Sequence, residues 1–157
     1  MFNNIPEVKL GIVAVSRDCF PIELSKKRRI NVVKACALEA IDEVNKAGVN
    51  ALVVYLGNFG PEGPETYLCK NFDGPCMYVA AAEETQEDLI DGRGDAYCGV
   101  LNASYNLGLK NLKAYIPEYP VGLPDEVADM IAEFENIARA IIGVKSLKII
   151  GFGPRPY

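Results

Sequence analysis

Residues 50–56, NALVVYL, run from a polar asparagine into six residues that are apolar, branched or aromatic, and end against Gly57-Asn58-Phe59-Gly60. So continuous an apolar run suits a strand covered on both faces, as in a parallel sheet, better than a one-sided strand with strict alternation. Four other stretches share its character: Lys9 to Val15 (KLGIVAV), Cys76 to Ala80 (CMYVA), Leu112 to Ile116 (LKAYI) and Leu147 to Phe152 (LKIIGF).

Helical patterns lie between these runs. Ile30, Val33, Ala37, Leu38, Ile41 and Val44 recur at steps of three and four, and Gly48 stands where a left-handed C-terminal residue is wanted. Val127, Met130, Ile131, Phe134, Ile137, Ala138 and Ile141 repeat the pattern. Pro124 opens that helix, where its missing N–H costs nothing, and Asp125 and Glu126 follow at the positive end of the dipole. A third helix is expected from near Asp95 to about Leu109, with Ala96, Gly99 and Ala103 forming a small-residue face for close packing. The link from Leu56 to Cys76 reads as mostly loop, with a short helix near Glu65 to Lys70. Ser16 to Val49 holds one long helical pattern. Strand and helix in alternation predict an α/β layered fold. Residues 1–146 form the expected N-terminal α/β domain, and 147–157 either its last strand or the start of a second domain absent from this chain.

At 157 residues the chain suits one domain, half its residues are apolar, and no apolar run approaches the roughly 18 to 20 needed to cross a bilayer. MFNNIPEVK at the start lacks the cationic and apolar regions of a signal peptide, so a soluble, cytoplasmic protein without a membrane partner is expected. Net charge is −5, and the basic run Lys26-Lys27-Arg28-Arg29 reads as solvated helix surface rather than a nucleic-acid patch. Five cysteines without a CxxC pair, and no histidine at all, argue against a zinc site, a Cys-His nucleophile or a disulfide framework. The cysteines are expected as reduced thiols, mostly packed as small apolar residues.

In open parallel sheets, ligands bind beyond the carboxyl ends of the strands, where loops converge with helix N-termini. Arg17 follows the first strand, and its fork of donors suits vicinal hydroxyls, a carboxylate or a phosphate, or else an ion pair with Asp18 or a neighbouring acid. Asn58 suits sugar hydroxyls, and equally ordinary turn chemistry. Glu62, Glu83 and Glu84 are candidate acid/base carboxylates, although Glu83, Glu84, Glu87 and Asp88 read more simply as the acidic first turn of a solvated helix. Arg155, held between two prolines, is placed to present its guanidinium. The Arg93-Gly94-Asp95 tripeptide is discounted as an adhesion signal in a chain with no export signal. No GxGxxG, GxxxxGK[ST] or GxSxG motif occurs, which weighs against nucleotide binding of those kinds and against a hydrolase elbow.

GIVAVSRDCFP (11–21), VYLGNFGPEGPET (54–66), FDGPCMYVAAAEE (72–84), GRGDAYCGVLNASYNLGLKNLKAYIPEYPVG (92–122) and LKIIGFGPRPY (147–157) together resemble the N-terminal part of the L-fucose isomerase-like family, relatives of L-fucose and L-arabinose isomerases. The resemblance implies a Rossmann-like or flavodoxin-like three-layer sandwich with a mostly parallel sheet of four to five strands. It also implies an aldose–ketose isomerase working through an enediol on an open-chain sugar, with a divalent metal, typically manganese, polarising the oxygens. In that family the metal ligands, a Glu, an Asp and a His, lie in later domains, so this chain carries neither the metal nor an assigned catalytic residue. Arg17 and, beside it, Asn58 and Glu62 match positions that bind substrate, and a homo-oligomer is expected because the loop after the first strand can reach a neighbouring subunit. Family members carry a further strand and connecting segment where Asn31 to Cys36 here runs straight into Ala37 to Ala40: the segment is either shortened or missing. The competing reading is a stand-alone α/β module that binds a small polyol or a partner protein without catalysis.

Overall fold

A computed structural model describes residues 5–15, 23–28, 48–60, 62–90 and 92–153. Four parallel strands form one sheet in the order β1 (Leu10–Val15), β2 (Ala51–Leu56), β3 (Cys76–Ala81) and β4 (Val121–Gly122). Helices α1 (Glu62–Asn71), α2 (Ala96–Leu109) and α3 (Pro124–Lys145) flank it, and residues 23–28 are also helical. The expected α/β three-layer sandwich is what the chain adopts.

The alternation of side chains along a strand explains the two layers of helices. Ala51, Val53 and Tyr55 face α3, where Val127, Ile131, Phe134 and Ala138 bring one apolar stripe onto the sheet. Leu52, Val54 and Leu56 point the other way and pack with Cys69 of α1 and with Ala96, Val100, Ala103 and Leu107 of α2. Every residue of β2 and β3 is therefore buried, which accounts for the apolar and aromatic character of ALVVYL and CMYVAA.

Local signals hold where neighbours in sequence set them. The Leu123 N–H donates to Glu126 Oε2 at 2.7 Å, closing the N-terminus of α3 ahead of Pro124. Gly48 takes the left-handed conformation, with φ of 64°. Gly99 meets the sheet's loops most closely: a Cβ there would stand 2.2 Å from the Phe59 carbonyl oxygen, so the small-residue face of α2 packs against the turn after β2.

Two expected strands differ. Leu112 to Ile116 contributes only a single bridge, Tyr115 against Met77, with the Tyr115 ring stacked on Phe134 at 5.9 Å. Pro117 and Pro120 have no N–H to continue a ladder, and the paired strand forms beyond them at Val121–Gly122, where Ala80 N–H donates to Pro120 O and Ala82 N–H to Gly122 O. Leu147 to Phe152 forms no strand of this sheet. Ile149, Ile150 and Phe152 are exposed after the end of α3. The single long helix read over Ser16 to Val49 lies largely outside the described residues.

Candidate functional site

The carboxyl ends of β2 and β3 carry a knot of buried polar groups. Arg28, 2% exposed, reaches from the helical segment 23–28 and donates through Nη1 to Gly57 O at 3.0 Å. Its Nη2 pairs with Glu83 Oε2 just past β3. Glu83 Oε1 in turn accepts the N–H groups of Gly94 and Asp95, at 3.0 and 3.2 Å. Two successive amides at the start of α2 thus grip the carboxylate as they would an anionic ligand. A Cβ at Gly94 would lie 2.5 Å from Arg28 Nη1 and would push the guanidinium aside.

This arrangement corrects two readings. Arg28 is not solvated helix surface. It is the buried partner of an ion pair that spans 55 residues of sequence. Glu83 does not begin a solvated helix either, since the acidic stretch makes only a 3-10 turn at Glu87–Leu89, started by Thr85 N–H donating to Asp88 Oδ2 at 2.9 Å. Glu84 stays at the rim and meets Lys27 at 3.4 Å. The Arg93-Gly94-Asp95 tripeptide is a structural clasp: its glycine and aspartate amides hold Glu83, and Arg93 pairs with the Asp95 carboxylate at 2.8 Å. That hydrogen bond holds Asp95 below its ordinary value, and Asp95 in turn pushes the Cys98 thiol up.

Asn58 is fully buried, and its Oδ1 accepts the Gly60 N–H at 3.2 Å, which makes the turn that leaves β2. Gly60, at φ 74°, brings the chain against the buried Glu65, whose Oε2 would be 2.9 Å from a Cβ at that glycine. Tyr78 anchors the same helix from below by donating its hydroxyl to Glu65 O at 2.6 Å. Burial raises both Tyr78 and Tyr55 well above the ordinary phenol range. Glu62 begins α1 and borders a surface cavity of ≈ 240 Å³ shared with Thr66, Tyr67, Lys70, Asn106 and Lys110. Asn58 and Glu62 are therefore brought to the same loop and helix start, one inside and one at the surface. Arg17 and Arg155 lie outside the described residues.

A parallel sheet with such a carboxyl edge is shared by many activities, and comparison with known proteins narrows the choice. The model of the fucose/sulfoquinovose isomerase N-terminal domain matches residues 36–145, most of the chain. The chain belongs to this family. No curated protein and no solved structure matches it. The isomerase-domain match takes in β2 through α3, and with them Asn58, Glu62 and Glu83, and it leaves Arg17 and Arg155 on either side. It starts at Cys36.

Sequence reading missed Arg28 and Glu83 as a pair. The available signal was slight: an arginine in a basic run, and one glutamate among four acids. Among the described residues, no helix is long and apolar enough to cross a membrane.

Proposed function

We propose that this isomerase-family domain recognises an open-chain aldose at the carboxyl edge of its sheet, as part of a cytoplasmic, homo-oligomeric aldose–ketose isomerase. The family match over residues 36–145 carries this reading. In support, the Asn58–Gly60 turn, Glu62 and the Arg28–Glu83 knot meet at the edge where such sheets receive ligands. Arg17 and Arg155 are the proposed guanidinium donors to sugar hydroxyls, with Glu62 accepting from them and Asn58 shaping the turn.

Isomerisation through an enediol moves a proton between adjacent sugar carbons, and a divalent metal such as manganese would polarise the oxygens. The residues of this chain do not fit that metal. There is no histidine, and among the described residues no group of three Cys, Asp or Glu is gathered to hold an ion. Glu83, the best-placed acid, has one oxygen on Arg28 and the other on two amides. The proton transfer is therefore assigned to other parts of the enzyme.

The non-catalytic reading, a binding or interaction module, is favoured by one observation. Tyr97, Leu101, Tyr105 and Leu109 recur at four-residue steps on α2 and are all more than half exposed. Both readings are separated by titrating the 157-residue chain with aldoses and alditols while following the amide resonances of Gly57, Asn58 and Gly60. Shifts of those amides with a subset of aldoses, and no turnover in the presence of manganese, are expected. Turnover by the chain alone would overturn the assignment of catalysis elsewhere, and shifts confined to the Tyr97–Leu109 face on adding a protein partner would favour the module.

A further inference from the structure

Helix α2 holds no charged residue in its 14 positions, although one side of it faces solvent. Ala96, Val100, Ala103 and Leu107 take the sheet side. Opposite them Leu101, Tyr105 and Leu109 follow one another by a helical turn, and Tyr105 is 66% exposed. The outer side of α3, across the sheet, is by contrast polar, with Asp129 and Glu133 exposed on it. A helix that is apolar on both sides belongs between two layers of protein. The polar side chains of α2 serve its own backbone: Ser104 Oγ donates to Leu101 O at 2.8 Å and Asn106 Nδ2 to Asn102 O at 2.9 Å, so a covering layer strands neither.

We propose that a second copy of this chain covers α2, helix against antiparallel helix about a two-fold axis, with Tyr105 of each copy seated at Leu101 of the other. The inference rests on the homo-oligomeric part of the reading above and names the face that makes the contact.

Charge singles out this occupant. Each copy carries a net charge of −5, so two copies meet with least repulsion on a face that has no charge. The ends of the face differ in sign. Glu118 borders the same hollow as Tyr97 and Leu101 at the N-terminal end, where Arg93 and Asp95 neutralise each other, and Lys110 follows the last turn at the other end. Antiparallel packing sets Glu118 of one copy toward the Lys110 end of the other and opposes the two helix dipoles, whereas parallel packing sets like against like. Shape agrees with charge. A cavity of ≈ 370 Å³ opens beside Leu101, walled by Tyr97, Pro117, Tyr119 and Pro120. In the antiparallel order the two Tyr105 rings enter the two hollows, the self-complementary exchange that a two-fold contact requires.

Sedimentation equilibrium of the 157-residue chain tests the contact, with Tyr105→Glu and Leu101→Glu run beside the parent and circular dichroism checking that each variant folds. A concentration-dependent dimer is expected, and each glutamate should weaken it at least ~30-fold, the effect of losing a central interface side chain. If a glutamate variant does not fold, Tyr105→Ser replaces it and should still weaken the dimer. A short amine-reactive cross-linker, applied to a mixture of isotope-labelled and unlabelled chains, should leave Lys110 of one copy unjoined to Lys110 of the other. A chain that stays monomeric overturns both the contact and self-association by this domain. A dimer that the substitutions at Leu101 and Tyr105 leave intact overturns the contact alone, and Lys110 joined to Lys110 overturns the antiparallel order.

Discussion

Replacing Glu83 by alanine is the perturbation with the most to say about the carboxyl edge. It strands the Arg28 guanidinium, whose side chain is 3% exposed, and frees the Gly94 and Asp95 amides from their acceptor. Breaking a buried ion pair by removing one member costs roughly 3–5 kcal/mol, because the other charge stays behind without a partner. Against a typical total stability of about 5–15 kcal/mol, that is a large share. With a urea slope near 2 kcal/mol per molar, the unfolding midpoint should fall by about 1.5–2.5 M. Arg28→Met should cost a similar amount through the uncompensated carboxylate, although the two amides retain Glu83 and lessen it. The double variant should be less destabilised than the sum of the singles by about 1–3 kcal/mol, the coupling expected of residues in contact. Urea melts of the four proteins, followed by circular dichroism, complete the cycle. Single costs below about 1 kcal/mol, or strict additivity, would refute the buried-pair reasoning and return Arg28 to the class of surface ion pairs.

Gly99→Ala, which drives a Cβ to 2.2 Å from Phe59 O, should destabilise by about 1–3 kcal/mol despite its better helix propensity, while Gly108→Ala in the same helix, with open space around it, should stabilise by up to about 1 kcal/mol; paired thermal melts check the contrast. Asp95, held low by Arg93, contributes stability that is present above its unfolded value and is lost as pH falls through the depressed folded value. Carboxyl NMR titration should therefore place Asp95 below the ordinary range, and Arg93→Gln should bring it back up. The double variant Ile149→Ser with Phe152→Ser, at 85% and 94% exposure, should reduce self-association in sedimentation runs and leave the urea midpoint within about 0.5 kcal/mol of the parent.

The carboxyl-edge location was legible because a run such as NALVVYL suits a strand buried on both faces, as in a parallel sheet, whose loops then gather at one end. Asn58 was legible as turn chemistry for a similar reason: its acceptor, the Gly60 N–H, is two residues away. The occupants of the knot were not. Arg28 looked like its basic neighbours and Glu83 like its acidic ones, and what separates them is 55 residues of chain folded into contact. Cys69 and Cys76 carried no CxxC spacing, and the fold places both in one apolar cluster.

By itself the sequence determined the α/β layering, the faces of α2 and α3, the start of α3 at Pro124 and the left-handed Gly48. Each depends on side-chain periodicity or on a backbone preference felt within a turn or two. Tertiary structure alone decided that pairing beyond Pro117 and Pro120 falls at Val121–Gly122, that Leu147 to Phe152 stays off this sheet, and which charges are buried. A strand exists only where a neighbouring edge offers N–H and C=O groups, and a charge is buried only where the fold brings its partner; neither condition is written in the residues nearby.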